Sequence, residues 1–103
     1  MIQITLHSQG DEIIGFECVG HAGYAEAGSD IVCAAVSILT TTCANALESV
    51  AGLKPRVKVR AGKMAVEISP GSGRDAQVIF QTLRQGLRDL QDEYSQYLLL
   101  NEN

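Results

Sequence analysis

The chain has 103 residues, 46% of them hydrophobic and 19% charged, with a formal net charge of −4. That is enough apolar material for the core of one domain, 1–103, while the acidic balance argues against direct binding of nucleic acid. No apolar run approaches the roughly 20 residues of a membrane span, and the start of the chain has neither a basic leader nor a cleavage pattern. Both point to a cytoplasmic protein whose three cysteines stay reduced.

Residues 2–7 alternate Ile2, Ile4 and Leu6 with Gln3, Thr5 and His7, the period of a half-buried strand. After a turn at residues 8–11, a second strand is predicted over 12–19 with Ile14, Phe16 and Cys18 on one face, and the short connection makes the pair an antiparallel hairpin. A loop of small residues follows. Ser29 or Asp30 then caps a helix that runs to about Ala51, where Gly52 and Pro55 stop it. Its apolar positions go most of the way around the cylinder, so it should lie centrally or be covered by a second subunit.

Two further strands, 56–61 and 63–69, flank a tight turn at Gly62, and residues 70–73 break the chain. A second helix then carries Ala76, Ile79, Phe80, Leu83, Leu87, Leu90, Tyr94, Tyr97 and Leu98 at steps of three and four. The order ββαββα predicts an α+β domain, a mostly antiparallel four-stranded sheet with two helices packed on one face. Lys54, Arg56, Lys58, Arg60 and Lys63 gather the basic charge around the third strand, where the simplest role is to discourage edge-to-edge pairing.

Reactive side chains and special backbone coincide only at residues 20–33. His21 ends a strand, and Cys33 falls in the first turn of the long helix if Asp30 is the N-cap. The helix dipole and a nearby imidazolium each favour a negative sulfur. Gly20, Ala22, Gly23, Gly28 and Ser29 would leave a pliable loop facing substrate, and the N–H groups of the first helical turn are natural donors to an oxyanion. A carboxylate against the sulfur would oppose its ionisation, so Asp30 is expected to cap the helix or orient His21. Ser37 should bond back to the Cys33 carbonyl, one turn earlier, as mid-helix serines do, with a role in the site as the alternative. Cys18 and Cys43 read as packing residues and His7 as solvated. The scattered His and Cys give no metal-ligand spacing, and no cofactor is implied.

The run Gly20-His21-Ala22, then Gly28-Ser29-Asp30-Ile31-Val32-Cys33-Ala34-Ala35-Val36-Ser37, resembles the ribosomal-processing cysteine protease family (Prp). The resemblance implies that Cys33 is the nucleophile and His21 the general base, with Asp30 and Ser37 in supporting places. It also implies a homodimer that removes the N-terminal extension of large-subunit ribosomal protein twenty-seven, cutting after an aromatic residue. The residues alone reach only thiol-dependent acyl chemistry. They leave open a non-catalytic dimeric module that cradles a peptide or anion at the helix start, and a thiol redox sensor, although no resolving cysteine lies near in sequence.

Overall fold

The computed structural model covers residues 1–103 and contains seven elements. In chain order they are β1 (Ile2–Gln9), β2 (Glu12–Val19), α1 (Ile31–Ser49), β3 (Arg56–Arg60), β4 (Lys63–Glu67), α2 (Arg74–Glu93) and β5 (Leu98–Glu102). The strands form one sheet in the order β3-β4-β2-β1-β5. The β1–β2 and β3–β4 pairs are antiparallel, as their short hairpin connections require; β2 and β4 also pair antiparallel, and β5 runs parallel to β1.

The sheet therefore has five strands and is mixed, not four-stranded and antiparallel, and the order is ββαββαβ. The difference lies where the helical stripe was expected to continue. Tyr94 leaves helical geometry at φ −119° and ψ 43°, although its N–H still reaches the Leu90 carbonyl at 2.7 Å. Beyond it the burial period changes to two: Leu98 and Leu100 are buried and Leu99 between them is exposed. Three consecutive leucines fit either period. The free edge of β1 decides between them, because its unpaired backbone groups need a partner.

One face of this sheet makes the core. Ile2, Ile4, Leu6, Phe16, Val66, Leu98 and Leu100 share it through the strand registers, and all are buried. Against them pack Val32, Val36 and Leu47 of α1 with Ala76, Phe80, Leu83 and Leu87 of α2. Phe16 and Phe80 are completely buried, positions where truncation to alanine costs about 3–5 kcal/mol. Gly15 is needed where β2 meets β4, since a Cβ there would collide with the Val66 carbonyl oxygen.

The opposite face is polar. Along β3 and β4 it presents Arg56, Lys58, Arg60 and Lys63 around a shallow hollow of about 300 Å³. Two carboxylates answer two of these cations, Glu67 with Arg56 at 2.6 Å and Glu17 with Lys63 at 3.9 Å. The pairs are exposed and add little stability. Since β3 is an edge strand, its charges stand where they blunt pairing with another chain.

α1 departs from expectation in its apolar length. By length and composition it is apolar enough to cross a membrane, whereas no segment is expected to be. Only one stripe is buried within the chain while Ile31 and Ile38 are exposed, which leaves the second of the two expected arrangements, cover by another subunit, open to test. The buried stripe packs on the sheet and α2, as in the core helix of a globular domain.

Candidate active site

The site begins where β2 ends. Gly20 has φ +93°, its N–H donates to the Gly62 carbonyl at 2.9 Å, and an added Cβ would stand 2.7 Å from the Met1 carbonyl oxygen. Only glycine can make this bend, which carries the chain from the sheet toward the start of α1. His21 is exposed beside the β3–β4 turn, its Nε2 3.6 Å from where a Cβ on Gly62 would lie. The next residue, Ala22, is 4% exposed, and its backbone N–H donates to Cys33 Sγ at 3.4 Å. A backbone donor from the His21 loop thus points directly at the candidate nucleophile.

Asp30 holds the other side of the loop. It is the N-cap of α1, and its Oδ1 accepts from the Val32 and Cys33 N–H groups, both at 3.0 Å. Its Oδ2 accepts from Tyr24 N–H at 3.0 Å and Ala25 N–H at 3.2 Å. One buried carboxylate therefore joins the helix start to the loop through four backbone donors. The Cys33 N–H is the leading cause that holds its carboxyl below the usual carboxylate range, with the Ala25, Tyr24 and Val32 N–H groups acting the same way against the opposing effect of burial. Both oxygens are committed to backbone groups, so Asp30 serves as a cap and loop tie and makes no hydrogen bond to the imidazole.

This arrangement corrects one expectation about the helix start. The Val32 and Cys33 N–H groups, anticipated as oxyanion donors, are already taken by Asp30, and Ala34 N–H bonds the Asp30 carbonyl at 3.0 Å. The donor available beside the sulfur is Ala22 N–H instead. Sequence reasoning missed it because a backbone group leaves no mark in residue type. Its one trace is a small side chain after the histidine. The same commitments reduce the room for an external anion at the helix start.

Two cavities share His21, Cys33 and Ser37 as a common wall. The larger, about 490 Å³, lies under the loop and is bounded by Gly23, Ala25, Ala27, Gly28 and Ala34. The second, about 290 Å³, opens between α1 and the β3–β4 hairpin, with Gly20, Cys18, Val36, Val59 and Met64 in its walls. Gly20, Gly23 and Gly28 therefore border the space beside Cys33, whereas the Ala22 side chain is buried and Ser29 borders neither cavity. Ser37 does not make the expected bond to the Cys33 carbonyl; the back-bonding side chain in this part of α1 is Thr40, whose Oγ1 donates to the Val36 carbonyl at 2.8 Å. A chain laid across Cys33 would pass from a hollow of small residues to one walled by larger side chains, Val59 and Met64 beside Arg60 and Lys63.

All three cysteines are free thiols. Burial pushes the Cys43 thiol up to about 12, which makes it inert near neutrality. Cys18 is raised by burial first and by the nearby Cys33 second. Cys33 is thus the cysteine that meets both the His21 loop and open space.

The profile of the family described as Cysteine protease Prp matches residues 1–99. The chain belongs to the Prp family of cysteine proteases. Over 110 aligned residues it is 28% identical to the ribosomal processing cysteine protease Prp of Bacillus subtilis (strain 168), covering 100% of this chain and 98% of that protein. Its fold matches the essential ribosomal processing protease Prp from S. aureus solved with a covalently linked product peptide, at TM-score 0.93 and 25% identity over 100% of both chains. The same S. aureus protease solved with a substrate peptide matches at TM-score 0.83 and 25% identity, covering 99% of this chain and 97% of that one. A Prp fold thus includes β5, the strand that the periodicity of the second helix concealed.

Proposed function

We propose that this Prp family member is the endopeptidase that removes the N-terminal extension of a large-subunit ribosomal protein precursor, number twenty-seven, with Cys33 as nucleophile and His21 as general base. The observation that carries the assignment is the convergence of His21, Cys33 and the Ala22 N–H on one peptide-sized space. His21 takes the thiol proton as Sγ adds to the scissile carbonyl, and the Ala22 N–H, 3.4 Å from Sγ, is the nearest donor to the developing oxyanion. Collapse of the adduct expels the amine, which His21 protonates, and water then hydrolyses the thioester. The substrate assignment draws on the ribosomal-processing relatives and on the S. aureus protease with its covalently linked product peptide. Free thiols fit a reducing, cytoplasmic setting.

The test is incubation of the purified chain with the extended ribosomal protein in reducing buffer, followed by mass spectrometry. One cut that leaves the mature N-terminus supports the reading. An intact precursor, or cleavage that persists in Cys33→Ala, defeats it.

The same proposal includes a homodimer. Between α1 and α2, away from the site, Ile38, Leu39, Cys43, Val78 and Ile79 line an apolar groove of about 260 Å³. Ile38 is 65% exposed and Val78 46% exposed in the single chain. A second copy burying this face gives the apolar side of α1 a partner. Light scattering is expected to give twice the monomer mass for the parent chain and the monomer mass for Ile38→Asp. A monomeric parent chain would count against the assembly.

A further inference from the structure

The loop that carries His21 has one large apolar anchor. Tyr24 places its ring against two others, 5.8 Å from Tyr94 and 5.1 Å from Tyr97 between centroids, both edge-to-face at 88° and 76°. Tyr24 keeps one side to solvent, 42% exposed, and every other side chain from Gly23 to Ser29 is small or charged and exposed. The backbone of Tyr24 is held at the same point from the opposite side, since its N–H and that of Ala25 donate to Asp30 Oδ2. Two residues earlier, the Ala22 N–H is held against Cys33 Sγ.

The strap from His21 to Ala25 is therefore pinned at the sulfur and at the aromatic seat. The seat itself is built where α2 gives way to β5. Tyr94 is the C-cap of α2, and the Tyr97 carbonyl accepts the Ile2 N–H at 2.9 Å, which ties it to β1. Nothing in this arrangement uses the Tyr24 hydroxyl, which makes no hydrogen bond within the chain.

We propose that Tyr24 is a positioning residue for the reaction: seated between Tyr94 and Tyr97, it holds the strap that places His21 and the Ala22 N–H over Cys33. This rests on Cys33 being the nucleophile. A loop rich in glycine and alanine samples many conformations unless something fixes it. Edge-to-face contacts are directional enough to select one of them. Displacing a catalytic group by about 1 Å can cost about 100-fold in rate.

Tyr24→Ala and Tyr24→Phe separate this role from a general effect on folding. With a peptide spanning the precursor's cleavage site, Tyr24→Ala is expected to lose about 10- to 100-fold in kcat with little change in KM. Tyr24→Phe keeps the ring and is expected to stay near the parent. Amide hydrogen exchange at Ala22, Tyr24 and Ala25 should accelerate in Tyr24→Ala and not in Tyr24→Phe, while the core amides of β1 and β2 keep their protection. Unchanged kcat in Tyr24→Ala overturns the proposal, as does an equal loss in Tyr24→Phe or a change confined to KM. If the parent chain cuts no peptide, the nucleophile assignment has failed instead. The clasp is then judged by exchange alone, and equal exchange in Tyr24→Ala and the parent overturns it.

Discussion

Under the proposed assignment, His21→Ala is expected to lower kcat/KM for the precursor peptide by about 10²–10⁴-fold, with most of the loss in kcat. The imidazole acts in the bond-making and bond-breaking steps, as base toward the thiol and acid toward the departing amine, and the peptide's contacts with the two hollows remain. Cys33→Ala removes the covalent route altogether. Because His21 works through the sulfur, the double variant should be no slower than Cys33→Ala alone. Steady-state kinetics of the three variants decide this. Losses that multiply would mean that His21 acts on the substrate independently of Cys33.

The second large effect is expected at Asp30. Asp30→Ala releases four backbone donors at once, the Val32 and Cys33 N–H groups at the helix start and the Tyr24 and Ala25 N–H groups of the loop. The nucleophile's turn and the His21 strap both lose their common tie, and a fall in kcat of about 10²-fold is expected from the misplacement. Asp30→Asn keeps one carbonyl oxygen and should fall between Asp30→Ala and the parent, since that oxygen can serve the cap or the loop but not both.

The same residue sets part of the acid limit of stability. Its folded carboxyl lies below the unfolded value, chiefly through the Cys33 N–H, so its contribution is fully present above the unfolded value and is lost as pH falls through the folded one. Urea unfolding followed from about pH 5 downward should show a shallower loss of stability in Asp30→Asn than in the parent. An identical slope would remove Asp30 from the account.

Much of the proposed site was legible because its elements announce themselves locally. Asp30 precedes an apolar helix and caps it, and Gly20 is the residue type that its bend requires. His21 and Cys33 stand at the ends of the two elements that the loop joins. What stayed hidden is long-range. Tyr24, Tyr94 and Tyr97 meet only after folding, and two of them were read as part of a helical stripe. Leu98 also fits that helical stripe, and the deciding factor, the open edge of β1, is far away in sequence. The donor at Ala22 is backbone, which side-chain reading does not see.

The parallel pairing of β5 with β1 sets an order of assembly. Ile2 faces Leu98 across nearly the whole sequence, so this contact bears its loop-closure entropy before any gain arrives. Synthesis makes residues 20–33 well before the tyrosine seat that holds their loop. During synthesis, then, the thiol and the imidazole exist well before the frame that aligns them. Under the proposed assignment, alignment of the catalytic pair therefore waits for the segment that joins α2 to β5.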